Sequence, residues 1–456
     1  MPRQLAQEVL EGIEEEDAYS HISLDAALRR SNLDARDRGL ATELVYGTLT
    51  WQRSLDTILG QFLASGVASL DLSVRVALRL AVYQIVFLDR IPPHAAVNQA
   101  VEIVKAGPHR RASGLVNGVL RNLLRQEEPI QWWRDEDRKK KPSRYIGQRY
   151  SIPNWLGHRM LQTWGLRHAE AMAASFAERP PLYLRKIEAI DSADESKLPE
   201  GVSPAQFGDH PAIPGAYLAE SIDDTVRKGL EQGEWVVQDL GSQLIGYYTG
   251  ANEGMSVLDA CAGLGGKTLH LADLVGQTGT VNAVDPVQSK LQMLRESAEQ
   301  TGLLPRIATH KQELQGYIDA DATRDAPKEF DLVLLDAPCS GLGVIRRHPE
   351  TRWRREKSDI IELAEIQKKL LEVAAGLTKS GGILAYSVCT FTREEGAGQV
   401  ASFLEEHPEF ELIGPPTEGP GAQIDWAPYL NDDGQLFLNP LEHGTDGFFA
   451  ARLRRR

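Results

Sequence analysis

From the start of the chain to about residue 128, apolar residues recur at three- and four-residue spacing with little β-branched alternation, which predicts a set of amphipathic helices. Leu72, Val76, Leu80, Tyr83 and Phe87 make one stripe. Leu115, Val116, Val119, Leu120, Leu123 and Leu124 make another, broad enough for the inner face of a bundle helix. Pro92 and Pro93 interrupt the pattern, and the basic, tryptophan-bearing stretch 131–142 reads as a linker. From about 145 to 235 the signal is mixed. Helical spacing over 155–176 gives way to ERPPLYLRKI, a turn leading into a strand, and 191–215 is rich in Pro, Asp and Ser, as in a loop-bearing small subdomain. After about 235, short apolar runs alternate with helical segments, the signature of a parallel sheet covered on both faces. Strands are predicted at 256–261, 280–285, 306–309, 330–336, 382–388 and 447–453, with helices at 287–301 and 358–377 among the connections. No internal repeat occurs at solenoid periods.

The expected fold is therefore multidomain: an all-α bundle over 1–142, a small α+β linker subdomain over 143–234, and an α/β Rossmann-like domain over 235–456. A length of 456 residues, 42% hydrophobic and 25% charged, suits two or three globular units. The acidic N-terminus lacks a basic start followed by an apolar stretch, and no run approaches the roughly 20 apolar residues that span a bilayer. A cytoplasmic protein is expected, with its three cysteines as free thiols. The net charge of −14 argues against non-specific coating of nucleic acid, which needs clustered cations. Local clusters nevertheless exist. Positions 134–149 hold seven basic residues against three acidic ones; Arg346, Arg347, Arg352, Arg354, Arg355 and Lys357 form a second group, and Arg452, Arg454, Arg455 and Arg456 a third.

The candidate chemistry sits at the ends of the predicted strands. SVLDACAGLGGKT joins a buried strand, a glycine-rich turn and a helix start, where open α/β sheets bind ligands. The next strand ends in Asp285, a carboxylate able to accept both hydroxyl hydrogens of a ribose. A phosphate loop GxxxxGK[ST] fails because Cys261 stands where the first glycine belongs, and Gly263, Gly265 and Gly266 have the wrong spacing for a dinucleotide site. An adenosyl ligand without a pyrophosphate fits better. FDLVLLDAPCSGLGVIRRHPETRWRR ends a strand in Asp336, Ala337, Pro338 and Cys339, and GGILAYSVCTF ends another in Cys389. A lone cysteine is most often a small buried hydrophobe. Here Cys261, Cys339 and Cys389 all fall at strand ends, and if the last two strands are neighbours, Asp336, Cys339 and Cys389 share one site. Cys261 opens the glycine-rich turn with no acid beside it and is expected to be structural.

These motifs resemble the Sun/Fmu/RsmB branch of the NOL1/NOP2/Sun RNA 5-methylcytosine methyltransferases over essentially the whole chain. DAPCSGLGVIRRHPETRW is the most diagnostic, supported by YSVCTFTREEG, VQDLGSQL and DGFF. LATELVYGTL, AVNQAVEIVK and GLVNGVLRNLL look like the NusB-like RNA-binding domain that marks this branch.

The resemblance implies transfer of a methyl group from S-adenosylmethionine to carbon 5 of a cytosine in 16S ribosomal RNA. Cys389 is then the nucleophile, Asp336 the hydrogen-bonding group at the ring nitrogen, and Cys339 the thiol that assists release. Cofactor contacts carry over to Cys261, Ala262, Gly263, Leu264, Gly265, Gly266, Lys267, Asp285 and Asp336. Where the family has an acid after the third strand this chain reads HKQELQ, with Glu313 adjacent to that slot and Leu314 a competing occupant. Gly263–Leu264 replaces the common Ala-Pro, and Val388 and Thr390 replace the Thr and Ser that flank the nucleophile. Small-subunit RNA is the expected partner, with Arg346, Arg347, His348 and Arg352 around the target and Trp353 as a stacking surface. No metal is required, and a monomer is expected. Two other readings stand: the same chemistry on transfer RNA, against which the NusB-like front argues, and a non-catalytic RNA-binding assembly factor, against which Asp336, Cys339 and Cys389 argue.

Overall fold

The apolar stripes at the front of the chain become helices Pro2–Glu16, Ser20–Arg30, Ala35–Leu59, Leu72–Phe87, Pro93–Ala106 and Ser113–Leu124. In the computed structural model, which describes residues 2–16, 18–127, 130–187, 198–319 and 329–456, they belong to a unit comprising Met1–Glu178 and Ile345–Glu356. Asp34 caps the longest of them by accepting from the Asp37 N–H at 2.8 Å. Pro93 opens its helix at the first turn, where a missing N–H costs nothing. The face of Ser113–Leu124 that meets the core is narrower than its sequence predicts: Val116, Val119, Leu120 and Leu123 are buried, whereas Leu115 and Leu124 are exposed. The expected linker at 131–142 contains a helical turn, Asp137–Lys140, and Trp132 packs on Trp51 and Phe87 of the bundle. Arg79 is buried between helices, held by Asp56 at 2.7 Å and by Glu14. Part of the basic run that follows is engaged within the unit: Arg138 bonds Glu170 at 2.6 and 2.8 Å, Lys140 bonds Glu136, and the Arg149 guanidinium lies 5.2 Å from the Trp133 ring.

The second unit, Arg179–Val344 with Lys357–Arg456, carries two sheets. The division cuts through the expected small subdomain. Helices Pro142–Arg149 and Asn154–Ser175 group with the first unit, and the strands after them with the second. Of the polar stretch 191–215, residues 191–197 lie outside the described residues. The smaller sheet is antiparallel, built from β1 (Leu182–Lys186), β2 (Val202–Pro204), β3 (Ala216–Ala219) and β4 (Trp235–Val237) in the order β2-β3-β1-β4. The larger contains β5 (Ser256–Asp259), β6 (Thr280–Asp285), β7 (Ile307–Lys311), β8 (Phe330–Asp336), β9 (Thr378–Val388), β10 (Phe410–Ile413), β11 (Leu436–Leu438) and β12 (Phe448–Arg455). Its order is β10-β12-β9-β8-β5-β6-β7, with β11 on β12. β5 through β9 pair in parallel, and β12 runs antiparallel to β9. Both faces are covered, so β8 reads as one apolar run whose alternate residues enter separate cores: Leu332 and Leu334 in one, Val333 and Leu335 in the other. The basic tail is the last strand. Arg452 is buried, donates to the Gly414 carbonyl at 2.6 Å, and is pushed down to about 10 by burial.

This topology concentrates the chemistry. Strand order reverses between β5 and β8, so the connections leaving their C-terminal ends part and leave a crevice there. The ends of β5, β6, β8 and β9 bring the glycine-rich turn, Asp285, Asp336 and Cys389 to the same edge. Among the described residues no helix is long and apolar enough to cross a membrane, and no group of His, Cys, Asp or Glu could hold a metal ion.

Candidate active site

The glycine-rich turn leaves β5 at Asp259 and enters the helix Gly266–Leu274 through Gly265, whose φ of 89° lies in the left-handed region. A Cβ on Gly265 would overlap Leu294 Cδ1 and lie 2.9 Å from Leu294 Cβ, so both backbone shape and the neighbouring helix demand glycine. Ala262 is buried, with its N–H on the Val284 carbonyl at 2.9 Å, whereas Leu264 is exposed. The turn is closed by Asp285, whose two oxygens accept from the N–H groups of Gly263 (3.0 Å) and Val287 (2.8 Å). Behind it, Arg185 of β1 makes a buried ion pair with Asp273 at 3.0 Å and donates to Gln238, which bonds the Gly266 carbonyl at 3.2 Å. The smaller sheet thus braces the helix that starts at the turn.

Carboxylates surround this turn. Burial, then the charges of Asp259, Asp336, Asp285 and Glu313, push the Cys261 thiol far up, so it stays protonated, as suits a structural residue. Leu314 is buried and opens a helical turn, which leaves exposed Glu313 as the acid after β7. Asp259 is fully buried, with Oδ2 accepting from Thr268 Oγ1 at 2.7 Å. Burial, aided by the charge of Asp336, raises its carboxyl to about 6, against opposing effects from Thr268 and Lys267. A carboxyl raised above its unfolded value near 3.8 contributes stability that is fully present below that value and is lost as pH rises through about 6. Asp259→Asn should therefore raise the melting temperature relative to the parent more at pH 8 than at pH 5. Equal differences at both pH values in thermal melts would refute this.

At the end of β8, Asp336 accepts from Lys267 Nζ at 2.7 Å and from Ser387 Oγ at 2.7 Å. Lys267, nearly buried, lies 5.3 Å from the Phe448 ring of the DGFF segment. Burial acts to lower the Lys267 ammonium, but the charge and hydrogen bond of Asp336 outweigh it and hold it above its ordinary value. The two remaining cysteines meet. β8 and β9 pair with Asp336 opposite Ser387, and Cys339 Sγ lies 3.2 Å from Cys389 Sγ. The Cys339 thiol is pushed well up by its hydrogen bond to Cys389, then by burial and by the charges of Cys389 and Glu395. Cys339 is thus held as a protonated thiol against Cys389.

Several residues that the sequence did not single out hold this pair together. Glu395 is fully buried and accepts from Ser340 N (2.7 Å), Ser340 Oγ (2.6 Å), Thr392 Oγ1 (2.7 Å) and Gln367 Nε2 (3.2 Å). With the Ser340 hydrogen committed to Glu395, Thr390 Oγ1 donates to Ser340 Oγ at 2.9 Å, so the threonine beside Cys389 supplies a hydroxyl to this network. The Gly343 N–H bonds the Cys389 carbonyl at 3.0 Å, and the Gly343 carbonyl accepts from Gly447 N at 2.8 Å. A buried glutamate six residues after the cysteine was the available sequence signal, but a pair of glutamates in TREEG reads as surface until the loop is folded.

The expected phosphate grip at 346–352 takes a different form. This segment belongs to the helical unit, where Arg346 and Arg352 are buried. Arg352 donates to the carbonyls of Phe176 and Ile345, each at 3.1 Å, and Trp353 Nε1 bonds the Leu49 carbonyl at 2.8 Å. Burial lowers Arg352 to about 9 and His348 to about 4, so His348 is neutral at pH 7, its ring 4.9 Å from that of His21. Arg347 is half-buried. Arg352 is thus corrected from a phosphate contact to a structural plug. Arg352→Leu should destabilise the unit by about 1–3 kcal/mol, because buried carbonyls lose their donor. The slope of RNA affinity against salt should not change. A shallower slope in a salt titration would restore Arg352 to the interface.

Known proteins place the chain among methyltransferases. A family model described as 16S rRNA methyltransferase RsmB/F matches residues 249–454, and one described as the NusB family matches residues 1–125. A probable ribosomal RNA small subunit methyltransferase B from Synechocystis sp. is 33% identical, covering 99% of each chain. One from Bacillus subtilis is 33% identical, covering 100% of this chain and 98% of that one. The solved structure of PH0851 shares the fold, with a TM-score of 0.80 at 22% identity over 100% of this chain and 99% of that one.

Proposed function

The chain belongs to the RsmB/F family of 16S rRNA methyltransferases, and from that premise we propose that it methylates carbon 5 of a cytosine in small-subunit ribosomal RNA through a transient bond to Cys389. The observation that carries this reading is the 3.2 Å approach of Cys339 to Cys389 on the edge that also holds Asp336 and Lys267. A site that methylates an already nucleophilic atom has no need of paired thiols.

The residues fit S-adenosylmethionine. The turn around Gly265 admits close backbone approach, Asp285 keeps lone pairs for ribose hydroxyls, and the carboxylates around Cys261 favour a cationic sulfonium. When bound, the cofactor supplies an activated methyl group. Cys261 through Lys267, Asp285, Glu313 and Asp336 are the residues proposed to hold it.

Carbon 5 of cytosine is a weak nucleophile. The Cys389 thiolate adds to carbon 6, and the displaced π electrons make carbon 5 reactive toward the methyl group. The Lys267 ammonium, anchored on Asp336, offers positive charge to the electron-rich ring. Asp336 accepts from Lys267 and Ser387, so proton donation at this point falls to the lysine rather than the carboxylate. After transfer, a proton passes from carbon 5 to water. Its electron pair reforms the 5,6 double bond and expels the Cys389 thiolate, which accepts a hydrogen bond from the Cys339 thiol as it departs. Such a site reaches only a cytosine that is unpaired or flipped out of its stack. The helical unit is the proposed RNA-holding part.

The test is to methylate small-subunit RNA transcribed with tritium on cytosine carbon 5. One tritium should be released per methyl group transferred. Methylation with full retention of tritium would overturn the carbon 5 assignment, absence of any transfer would favour a non-catalytic assembly factor, and transfer to transfer RNA alone would move the substrate.

A further inference from the structure

Glu395 accepts four hydrogen bonds in the loop that follows Cys389. A carboxylate has about four lone-pair positions, and here donors from three elements approach them: Ser340 after β8, Thr392 after β9, and Gln367 from the helix Lys357–Gly376. The lattice is closed further by Gln367, which donates to the Pro338 carbonyl at 3.0 Å, and by the Tyr386 hydroxyl, which donates to the Glu395 carbonyl at 2.6 Å. Ser340 follows Cys339 directly, and Thr392 lies three residues beyond Cys389. We propose that Glu395 is a positioning residue for methyl transfer: its carboxylate clamps the Cys339 loop to the Cys389 loop, setting the thiol separation and keeping a fixed negative charge beside Cys339.

β8 and β9 are joined as a ladder only as far as Asp336 and Ser387, and both cysteines lie beyond it. Past the ladder, among the described residues, backbone bonding between the loops reduces to Ala337 N on the Ser387 carbonyl at 2.9 Å and Gly343 N on the Cys389 carbonyl at 3.0 Å. Cys339 and Ser340 lie between these two points, and there the Glu395 carboxylate and the Ser340–Thr390 hydroxyl pair supply the cross-links. The placement also explains an electrical asymmetry, because the Glu395 charge is among the influences that hold Cys339 protonated. A protonated Cys339 can donate to Cys389 at rest and again when Cys389 leaves the ring. This inference rests on the reading of Cys389 as nucleophile, but the first readout of its test does not need RNA.

The full-length chain is compared with Glu395→Gln and Ser340→Ala. Glutamine keeps the shape of the side chain but removes the charge and turns a donor toward the Ser340 and Thr392 donors. The first readout is the rate of iodoacetamide labelling of Cys339 against pH, followed by peptide mass in a Cys389→Ser background. In Glu395→Gln the midpoint of that profile should fall, and labelling at pH 8 should accelerate about tenfold, the change that one unit of thiol acidity produces. Ser340→Ala, which leaves the charge but removes one tether, should alter labelling less. The second readout, with Cys389 intact, is the lifetime of the RNA adduct after a single turnover, expected to lengthen about tenfold or more in both variants. Wild-type labelling profiles and adduct lifetimes in folded variants, within twofold, would overturn the proposal. Should Glu395→Gln not fold, the adduct lifetime of Ser340→Ala decides alone. Should the labelling profile shift while even the parent chain forms no RNA adduct, the positioning role stands and the reading of Cys389 as nucleophile fails.

Discussion

Cys389→Ala is expected to abolish methyl transfer, lowering the single-turnover rate by a factor on the order of 10³ or more, the scale on which removing a nucleophile acts. Cys339→Ala is expected to do something different: methyl transfer proceeds, and a covalent RNA–protein adduct accumulates. Cys339 is the thiol that keeps its proton, through its hydrogen bond to Cys389, its burial and the neighbouring charges, so at neutral pH it serves as a hydrogen-bond donor and not as a nucleophile. Removing it leaves Cys389 able to attack but deprives the departing sulfur of its hydrogen-bond donor. Denaturing gels of protein incubated with RNA and cofactor separate the cases. An adduct that persists in Cys389→Ala and vanishes in Cys339→Ala would reverse the two roles.

Gly343→Ala is the second substitution with a large expected effect, although it changes no reacting group. The methyl would overlap the Gly447 carbonyl oxygen and lie 2.7 Å from its carbon, and both are backbone atoms that cannot swing aside. Gly343 is held on both sides, by the Cys389 carbonyl and by Gly447 N, so relief must come from moving the loop that carries Cys339 or the DGFF segment under Lys267. Overpacking of this kind costs about 1–3 kcal/mol. Displacing reacting groups by an ångström costs roughly a hundredfold in rate. The expected outcome is a folded protein with a modestly lowered melting temperature and at least a tenfold loss of methyl transfer. Activity within twofold of the parent would show that the loop tolerates the displacement.

Much of the fold was legible because apolar periodicity is local. β6 and β8 begin and end where their apolar runs do, and the helices Gln288–Gln300 and Lys357–Gly376 fall within a residue of the expected spans. The misreadings share a cause. Leu115 and Leu124 sit on the same stripe as buried neighbours yet face out, because the stripe's width is set by what packs against it. Arg352 stands among cations in the sequence and is buried all the same, because three backbone carbonyls happen to converge on it. Hydrophobic pattern reports the side chain; burial depends on the partner.

What the sequence determined by itself was the inventory and its place along the chain: a glycine-rich turn after one strand, an acid after the next, and two cysteines at the ends of two others. Strand-end position follows from short-range pattern, which each segment carries within itself. What only the tertiary structure decided was the pairing. The neighbouring of β8 and β9, the 3.2 Å between sulfurs fifty residues apart, the burial of Glu395 beneath both loops and the packing of Arg352 into the helical unit all depend on contacts between distant segments. Such contacts are selected by shape complementarity and by the need to satisfy every buried polar group, and neither exists until the segments have met.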